Sequence, residues 1–487
     1  MAELHGVYGV LQNAVNQDTV NYGKIPVYVG TAPVHALLGG SGNVNKPMLV
    51  SSFEKAKALF GYRDDWAAFT LCEAIHAHFM LKKVGPIILI NVLDATKHKA
   101  AEAATKSATP AGGKIVLNDM QSAVIDSVIV GTLSADKYTL SYDDLTGKLT
   151  ITETAAGSLG AVELDITYNV VDPAAVEDDD LIGAYDGEAV STGMQAVRNV
   201  YQLTGQMPGT LLCPGFSHVK TVHDAMAAIT QKINGHFDNF FYTDIPLAQV
   251  DTPMTLTGAA TWKGTNAFTV EHEKPFFPMW ETTDGKKYHL SVLYAAEKQR
   301  ITALAKGVPY QTASNTALPA GKPYYGAGRD TFLPDVKSIN EHLLAKGITS
   351  AAFVGGEWKL WGAHTAAYDA DAEESGMSIA ETNLEMLQYL LNRFQVQYVQ
   401  EIDQPTTRNR LQSIAAAENA YMDGLLSIGA LLYGRCIVII NRDNADALKK
   451  GDFEFAFEAT TTPLSKSLTA KLSYTEAGLA SFFEEVA

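Results

Sequence analysis

The run Ile87-Ile-Leu-Ile-Asn-Val-Leu93 is apolar on both faces of the strand it would form, a pattern suited to a sheet covered by helices on both sides. The neighbouring sequence supplies such helices. Upstream, Ile25-Pro-Val-Tyr-Val-Gly30 reads as a first short strand. Ser51-Ser-Phe-Glu54, with Glu54 three residues after Ser51, predicts a capping box opening a helix that Gly61 stops. A second helix is expected from about Asp64: Ala68, Leu71, Cys72, Ile75 and Phe79 share one face, Lys82 and Lys83 occupy the last turn, and Gly85-Pro86 ends it. The same texture returns beyond residue 184, with a helix around Gln195 to Leu203, a strand from Thr210 to Cys213, a helix from His218 to Ile233 and a strand from Phe240 to Ile245. The fold class that follows is α/β, a mixed multidomain chain on a doubly wound core.

Between Lys99 and Gly183 the texture changes to short alternating runs: Lys114 to Leu117, Ala123 to Gly131, Lys137 to Tyr142, Lys148 to Thr154 and Val162 to Val171. Such runs, divided by turn residues, predict an all-β module of sandwich type inserted into the core. Its closing acidic run, Glu177-Asp-Asp-Asp180, reads as a solvated linker, because the ligand-Gly-ligand spacing of a calcium loop is missing. After Lys346-Gly-Ile348 a hairpin is expected, turning at Gly355-Gly356, with Trp358 and Trp361 on opposite faces, one in the core and the other a candidate anchor. A capped helix from Ser378, with Glu381 at the third position, carries the stripe Leu384, Leu387, Leu391 and Phe394. A long helix from about Thr407 has Leu411, Ile414, Ala415, Met422, Leu425 and Leu432 on its inner face, and a buried strand from Cys436 to Ile440 follows.

The two ends have their own character. Residues 1 to 23 are rich in Gly, Asn and Gln with scattered apolar positions such as Val7 and Val10, and read as an extended arm. Near the C-terminus, Phe453, Phe455 and Phe457 fall on one face of a period-two run, with Glu454 and Glu458 on the other. A second run places Leu464, Leu468, Ala470, Leu472 and Tyr474 on one face and Ser465, Ser467, Thr469, Lys471 and Ser473 on the other. Both read as half-buried antiparallel strands. The second, beyond the flexible Thr460-Thr-Thr-Pro463, is free to pair within its own subunit or to reach a neighbour's sheet edge.

Composition narrows the function. The 487 residues carry 37 Lys+Arg against 54 Asp+Glu, a formal charge of −17, with no dense basic run to release counterions from nucleic acid. At 47% hydrophobic residues the chain is globular, and its length suggests about three domains. Three dispersed cysteines, Cys72, Cys213 and Cys436, fit neither a disulfide framework nor a zinc module. The start lacks a signal-peptide pattern and the apolar runs are too short to span a bilayer, so synthesis and folding in the cytoplasm are expected. Gly147-Lys148 and Gly285-Lys286 lack the rest of a P-loop, and the glycines from Gly39 to Gly42 form a loop, not a dinucleotide fingerprint. His76 and His78 diverge by about 200° around a helix, and His218 and His223 by about 140°, so neither pair is expected to hold a metal. Ser217, after Cys213-Pro-Gly-Phe, lacks a nucleophile elbow and reads as a helix cap. No catalytic, cofactor or metal residue is assigned.

Ile25-Pro-Val-Tyr-Val-Gly-Thr-Ala-Pro33, Pro309-Tyr-Gln-Thr-Ala-Ser-Asn315, Gly347-Ile-Thr-Ser350 with Trp361-Gly-Ala-His-Thr365, and the strand pair from Phe453 to Tyr474 come in an order that resembles the tail sheath proteins of contractile phages. Related sheaths occur in phage-tail-like bacteriocins and other contractile injection systems. The similarity covers residues 24 to 95 and 185 to 474. It implies subunits that form hexameric rings stacked around a tail tube, with a baseplate and a tail terminator as further partners and no cofactor. It also implies that an N-terminal arm, here Leu4 to Val20 with Val7 and Val10, and a C-terminal strand, here Leu464 to Tyr474, add to neighbouring subunits' sheets. Phe453, Phe455 and Phe457 would then lie in the receiving sheet. Gln412, Asn419 and Asp423 on the long helix are candidate tube contacts, their ordinary alternative being a solvated face.

The expected division is an arm over 1–23, an α/β core over 24–98 and 184–345, the outward-facing β insertion over 99–183, a C-terminal sheath domain over 346–462 and a strand-donating arm over 463–487. The implied location is the virion tail, after assembly in the host cytoplasm. Two other readings compete: an α/β enzyme with a site near Cys213 and Ser217, and another virion protein such as a capsid or tube subunit.

Overall fold

The computed structural model describes residues 24–479 apart from 145, 250–251, 330, 373–375, 377–378, 441–444 and 477. The expected arm over residues 1–23, with Val7 and Val10, lies outside the described residues, as does Ser378. The chain divides into two compact units, Met1–Leu411 and Gln412–Ala487.

The larger unit opens with β1 (Ile25–Gly30), β2 (Met48–Val50), α1 (Phe53–Phe60), α2 (Thr70–Ile75) and β3 (Ile87–Asn91). The cap of α1 is Ser52, whose hydroxyl accepts the Lys55 N–H at 3.2 Å, so the capping box expected from Ser51 and Glu54 does not form. The next helix starts at Thr70 and not at Asp64. Thr31, just past β1, takes its first N–H groups: Thr70 N–H donates to the Thr31 hydroxyl at 3.0 Å and Leu71 N–H to its carbonyl at 3.0 Å.

The insertion contributes β4 (Ala104–Ala108), β5 (Lys114–Leu117), β6 (Ile129–Val130), β7 (Tyr138–Asp143), β8 (Lys148–Glu153) and β9 (Leu164–Tyr168). These make two three-stranded antiparallel sheets, β4-β9-β6 and β5-β8-β7, around Ile115, Val130, Leu149, Ile151 and Ile166. The strand expected from Ala123 to Gly131 shrinks to β6, since Ile125–Ser127 is a 3-10 turn. Arg63 ties the insertion to the core through Asp144 at 2.8 Å and Tyr142 at 3.1 Å. The acidic run is not a solvated linker: it forms α3 (Asp178–Ile182), where Asp180 pairs with Lys97 and, at 3.1 Å, with His98.

The core resumes with α4 (Val200–Thr204), β10 (Pro208–Leu212), α5 (Lys220–Ile229) and β11 (Phe241–Asp244). The short ribbon β12 (Ala248–Gln249) and β13 (Thr252–Pro253) follows, then α6 (Leu256–Thr265), β14 (Glu273–Phe276), β15 (Met279–Thr282), β16 (Lys287–His289) and α7 (Leu290–Leu304). The main sheet has the order β14-β11-β10-β1-β3-β2, all neighbours parallel except β2 against β3. It grows in both directions from β1, as a doubly wound fold requires. Val27, Ile88, Leu89, Leu212 and Phe241 are fully buried in it, and α7 lies against β1, β10, β11 and β14.

The unit closes with β17 (Gly321–Tyr324), α8 (Val336–His342), β18 (Ser350–Val354), β19 (Glu357–Trp361) and α9 (Glu381–Gln397). β18 and β19 form the expected hairpin. Neither tryptophan is left as an anchor, because Trp358 meets Trp280 edge-on at 5.9 Å and the Trp361 indole N–H donates to Asn340 at 2.9 Å. The division between the compact units falls within α10 (Arg408–Ser427). Beyond it lie β20 (Leu431–Ile439), α11 (Ala445–Lys450) and β21 (Glu454–Thr461), with β20 and β21 antiparallel. Leu411, Ile414, Ala415, Met422 and Leu425 are buried as expected, but Leu432 is exposed and belongs to β20, the helix having ended five residues earlier. β20 is also not the fully buried strand expected: Cys436 is buried while Arg435 and Ile437 beside it are exposed.

Candidate functional site

In the smaller unit, register sets Cys436 opposite Phe457, Val438 opposite Phe455 and Arg435 opposite Glu458. Residues facing each other across a pair share a face, so Phe455 and Phe457 join Cys436 on one side while Glu454 and Glu458 lie on the other. Phe453 precedes β21 and is exposed. After β21 the run expected as a half-buried strand takes part in no helix or sheet among the described residues. Leu464 is half-buried and Ala470 exposed, while Leu468, Leu472 and Tyr474 are 92%, 97% and 84% exposed. An apolar row this open on a period-two segment is unusual for a soluble surface. Of the three α10 positions considered for a partner, Gln412 and Asp423 are exposed. Asn419 instead bonds both main-chain groups of Cys436, at 2.8 Å each.

The larger unit holds a buried charge network that sequence reading missed. Lys274 on β14 and Glu381 at the start of α9, both fully buried, are 3.2 Å apart. Glu381 also accepts from the Tyr294 hydroxyl and, at 3.0 Å, from Thr312. One helical turn on, Glu385 meets Lys298 of α7 at 2.6 Å. Lys24, at the root of β1, donates to Gln388 at 3.1 Å and to the Asp238 carbonyl at 2.9 Å, and burial holds its ammonium down at about 8. Burial likewise pushes Glu385 up; at Glu381 the Lys274 and Lys298 charges outweigh burial and push the carboxyl down. The available signal was the spacing: Glu381 and Glu385, four apart, fall on one face of a helix that carries apolar residues.

Three of the segments singled out in the sequence, Pro309–Asn315, Gly347–Ser350 and Trp361–Thr365, meet one another beside this network. Lys298 donates to the Gln311 carbonyl at 2.6 Å and Lys274 to that of His364 at 3.0 Å. Asn315 N–H bonds the Leu360 carbonyl at 2.7 Å, and Gly362 N–H bonds the Ser314 hydroxyl at 3.0 Å. Gly347, at φ +70°, lies so close to the Thr365 backbone that an added Cβ would come 2.3 Å from its carbonyl oxygen.

The positions tested for chemistry have structural partners. Ser217 is not a helix cap: buried, its hydroxyl accepts the Asp244 N–H at 3.0 Å. Cys213 is buried, its carbonyl accepts the Ser217 N–H at 2.9 Å, and burial pushes its thiol far up. His78 and His76 pair separately with the Tyr28 and Tyr288 hydroxyls, each at 2.7 Å. His223 stacks on Phe268 at 3.8 Å. Among the described residues no three His, Cys, Asp or Glu side chains are grouped to hold a metal ion, and no helix is long and apolar enough to cross a membrane.

No protein-family profile matches the chain. It is 26% identical over 489 aligned residues to the tail sheath protein of Burkholderia phage BcepMu, covering 97% of each sequence. Among solved structures its fold is similar to the contracted helical sheath of the anti-feeding prophage, with a TM-score of 0.54, 12% identity, and coverage of 98% of this chain and 100% of the other. The contracted sheath complex of the extracellular contractile injection system PVC matches with a TM-score of 0.54, 12% identity and 98% of each chain covered. A chain from the anti-feeding prophage baseplate matches with a TM-score of 0.54, 11% identity, and coverage of 98% of this chain and 100% of that one. The chain is therefore similar to a phage tail sheath protein along nearly its whole length, on a fold similar to that of chains from two contractile injection systems.

Proposed function

We propose that the protein is a structural, non-enzymatic sheath subunit that stacks as hexameric rings around a tail tube and contracts to drive the tube through a target envelope. Baseplate and tail terminator bound the sheath at its two ends, and subunits assemble in the host cytoplasm before joining the virion tail. The inserted β module faces outward. The C-terminal sheath domain over 346–462 passes its final segment, 463–487, to a neighbour, and Leu4 to Val20, through Val7 and Val10, reaches another.

The observation that carries this reading is the exposure of Leu468, Leu472 and Tyr474 on a strand-patterned segment. Burying each would contribute about 1.5–3 kcal/mol, and main-chain hydrogen bonds of an added strand would fix the register. A strand given from copy to copy is a heterologous contact, which yields rings or helices instead of closed dimers. Contraction is then a rigid-body rearrangement that the strand links survive, with energy stored at assembly. Gln412 and Asp423 remain candidates for the tube-facing surface; Asn419, engaged by Cys436, supports that role less well.

Negative-stain electron microscopy of the full-length protein beside a version truncated after Pro463 tests the reading. Hollow ridged tubes from the full-length protein alone are expected. Tubes from both versions would overturn the role of the final strand. Compact particles from both, even with tube protein added as a template, would overturn polymerisation itself.

A further inference from the structure

Asn234-Gly235 is the one Asn-Gly step in the sequence. At such a step the glycine nitrogen, with no β-carbon beside it, is sterically free to attack the asparagine side-chain carbonyl carbon. The fold closes a tight loop over this step. Ile233 N–H donates to the Phe237 carbonyl at 2.8 Å and Phe237 N–H to the Ile233 carbonyl at 3.1 Å, while Gly235 N–H donates to the Lys232 carbonyl at 2.7 Å. Asn234, the third residue of that last turn, has φ +51°, the left-handed conformation that asparagine tolerates there. Its side chain is half-buried and makes no hydrogen bond among the described residues. Phe237 is buried against Tyr201, ring centres 5.3 Å apart. The helix α9 grips the loop from outside. Asn392 Nδ2 donates to the Asp238 carbonyl at 2.9 Å, Asn392 Oδ1 accepts the Asp238 N–H at 3.2 Å, and Gln395 Nε2 donates to the His236 carbonyl at 3.1 Å. The Asp238 carboxylate closes the base of the loop, accepting the Lys232 N–H at 2.9 Å and the Lys232 ammonium at 2.6 Å.

We infer that Asn234 is a site of spontaneous modification by solvent water, and that α9 holds it dormant. The Gly235 nitrogen gives its proton to solvent hydroxide and bonds to Asn234 Cγ; the Cγ–Nδ2 bond breaks, and ammonia leaves after taking a proton from water. Water then opens the five-membered imide at either carbonyl, giving aspartate or isoaspartate with no change of oxidation state. The closed loop opposes the first step, because the N–H that must ionise is held by the Lys232 carbonyl. Once ionised, that nitrogen would face the carbonyl oxygen with no proton between them. Reaction therefore runs through the open loop, at a rate set by the population of that opening. Isoaspartate adds a carbon to the main chain of the loop. With the ends fixed by Asp238 and α9, the lengthened chain cannot keep both the Lys232–Gly235 and the Ile233–Phe237 hydrogen bonds. The same loop supplies Lys24, at the root of β1, with its Asp238 acceptor.

Peptide mass mapping of the full-length protein, incubated in mildly alkaline buffer with and without urea, tests this residue by residue. In urea Asn234 is expected to deamidate faster than every other asparagine. In the folded protein its rate is expected to fall at least about tenfold. Gln395→Ala, which removes one bond to the loop, is expected to raise the folded rate severalfold, and Asn392→Ala, which removes two, to raise it further. Hydrogen exchange at the Gly235 N–H should quicken in the same order, since both reactions pass through the same opening. Another asparagine leading in urea overturns the site. Equal rates with and without urea overturn the protection by the loop. If circular dichroism shows Gln395→Ala folded and neither its deamidation nor its exchange is faster, the role of α9 is wrong, and this variant alone decides where Asn392→Ala does not fold.

Discussion

Lys274 Nζ stands 3.2 Å from Glu381 Oε2 with both side chains fully buried, joining the edge strand β14 of the parallel sheet to the helix α9 that begins more than a hundred residues later. A buried pair adds little over an apolar pair of the same shape, but removing one partner strands the other's charge. Glu381→Ala is therefore expected to destabilise the larger unit by about 3–5 kcal/mol. The double variant Lys274→Met, Glu381→Leu should recover much of that loss. Urea denaturation followed by fluorescence checks this, and a double variant no more stable than Glu381→Ala would refute it.

His289 and Glu73 give a pH dependence of definite sign. Burial alone would lower the His289 pKa, but the Glu73 carboxylate at 2.8 Å, with Asp244 beyond, holds it up at about 9. Its contribution is complete below the unfolded value of about 6.5 and is lost as pH rises toward 9. Lys24, held at about 8 by burial, acts in the opposite sense only above that pH. Burial also pushes His35 down to about 4 and His78 to about 3, so those two add stability as pH rises toward 6.5. The unfolding midpoint is expected to peak near pH 6.5 and fall by pH 8, with His289→Asn flattening the fall. Thermal scans across pH 4 to 8 measure it, and an unchanged slope in the variant would refute the assignment.

The doubly wound core was legible because Ile87 to Asn91 and Ile25 to Gly30 carry their burial in their own composition. What failed depended on distant partners. Ser51 and Ser52 look alike as caps, and the path of the chain into α1 chooses the second. The acidic run reads as solvated until Lys97 and His98, some eighty residues upstream, meet Asp180. The helix α7 went unread because residues from Leu290 to Lys298 are buried all round, leaving no one-sided stripe to detect. At the C-terminus the alternation of Leu464 to Tyr474 was plain, but burial was expected and the segment stands open, as a strand whose partner is another molecule would.

Gly347 and Gly355 separate backbone strain from steric clash. Both have positive φ, +70° and +66°, but a Cβ on Gly347 would come 2.3 Å from the Thr365 carbonyl oxygen while one on Gly355 meets nothing within 4 Å. Gly355→Ala should cost about 1 kcal/mol, the penalty of a left-handed alanine. Gly347→Ala carries the same penalty plus displacement of the segment pinned by Lys274, and is expected to cost at least about 3 kcal/mol. Chemical denaturation of the two variants decides it, and equal losses would show that the Thr365 contact yields freely.

Stability and assembly should separate cleanly at the end of the chain. Leu468 and Leu472 are 92% and 97% exposed, so replacing both by lysine removes no contact from the folded subunit. The unfolding midpoint is then expected to move by an amount equivalent to no more than about 0.5 kcal/mol. In the proposed sheath the same two positions would sit in the apolar row of a donated strand, where two buried ammonium groups would oppose pairing by several kcal/mol per link. Sedimentation of the variant beside the unaltered protein should show monomer in place of polymer at matched concentration. A lysine variant that unfolds early would mean the segment packs on its own subunit in solution, and one that polymerises normally would mean that this row is not the buried face of the donated strand.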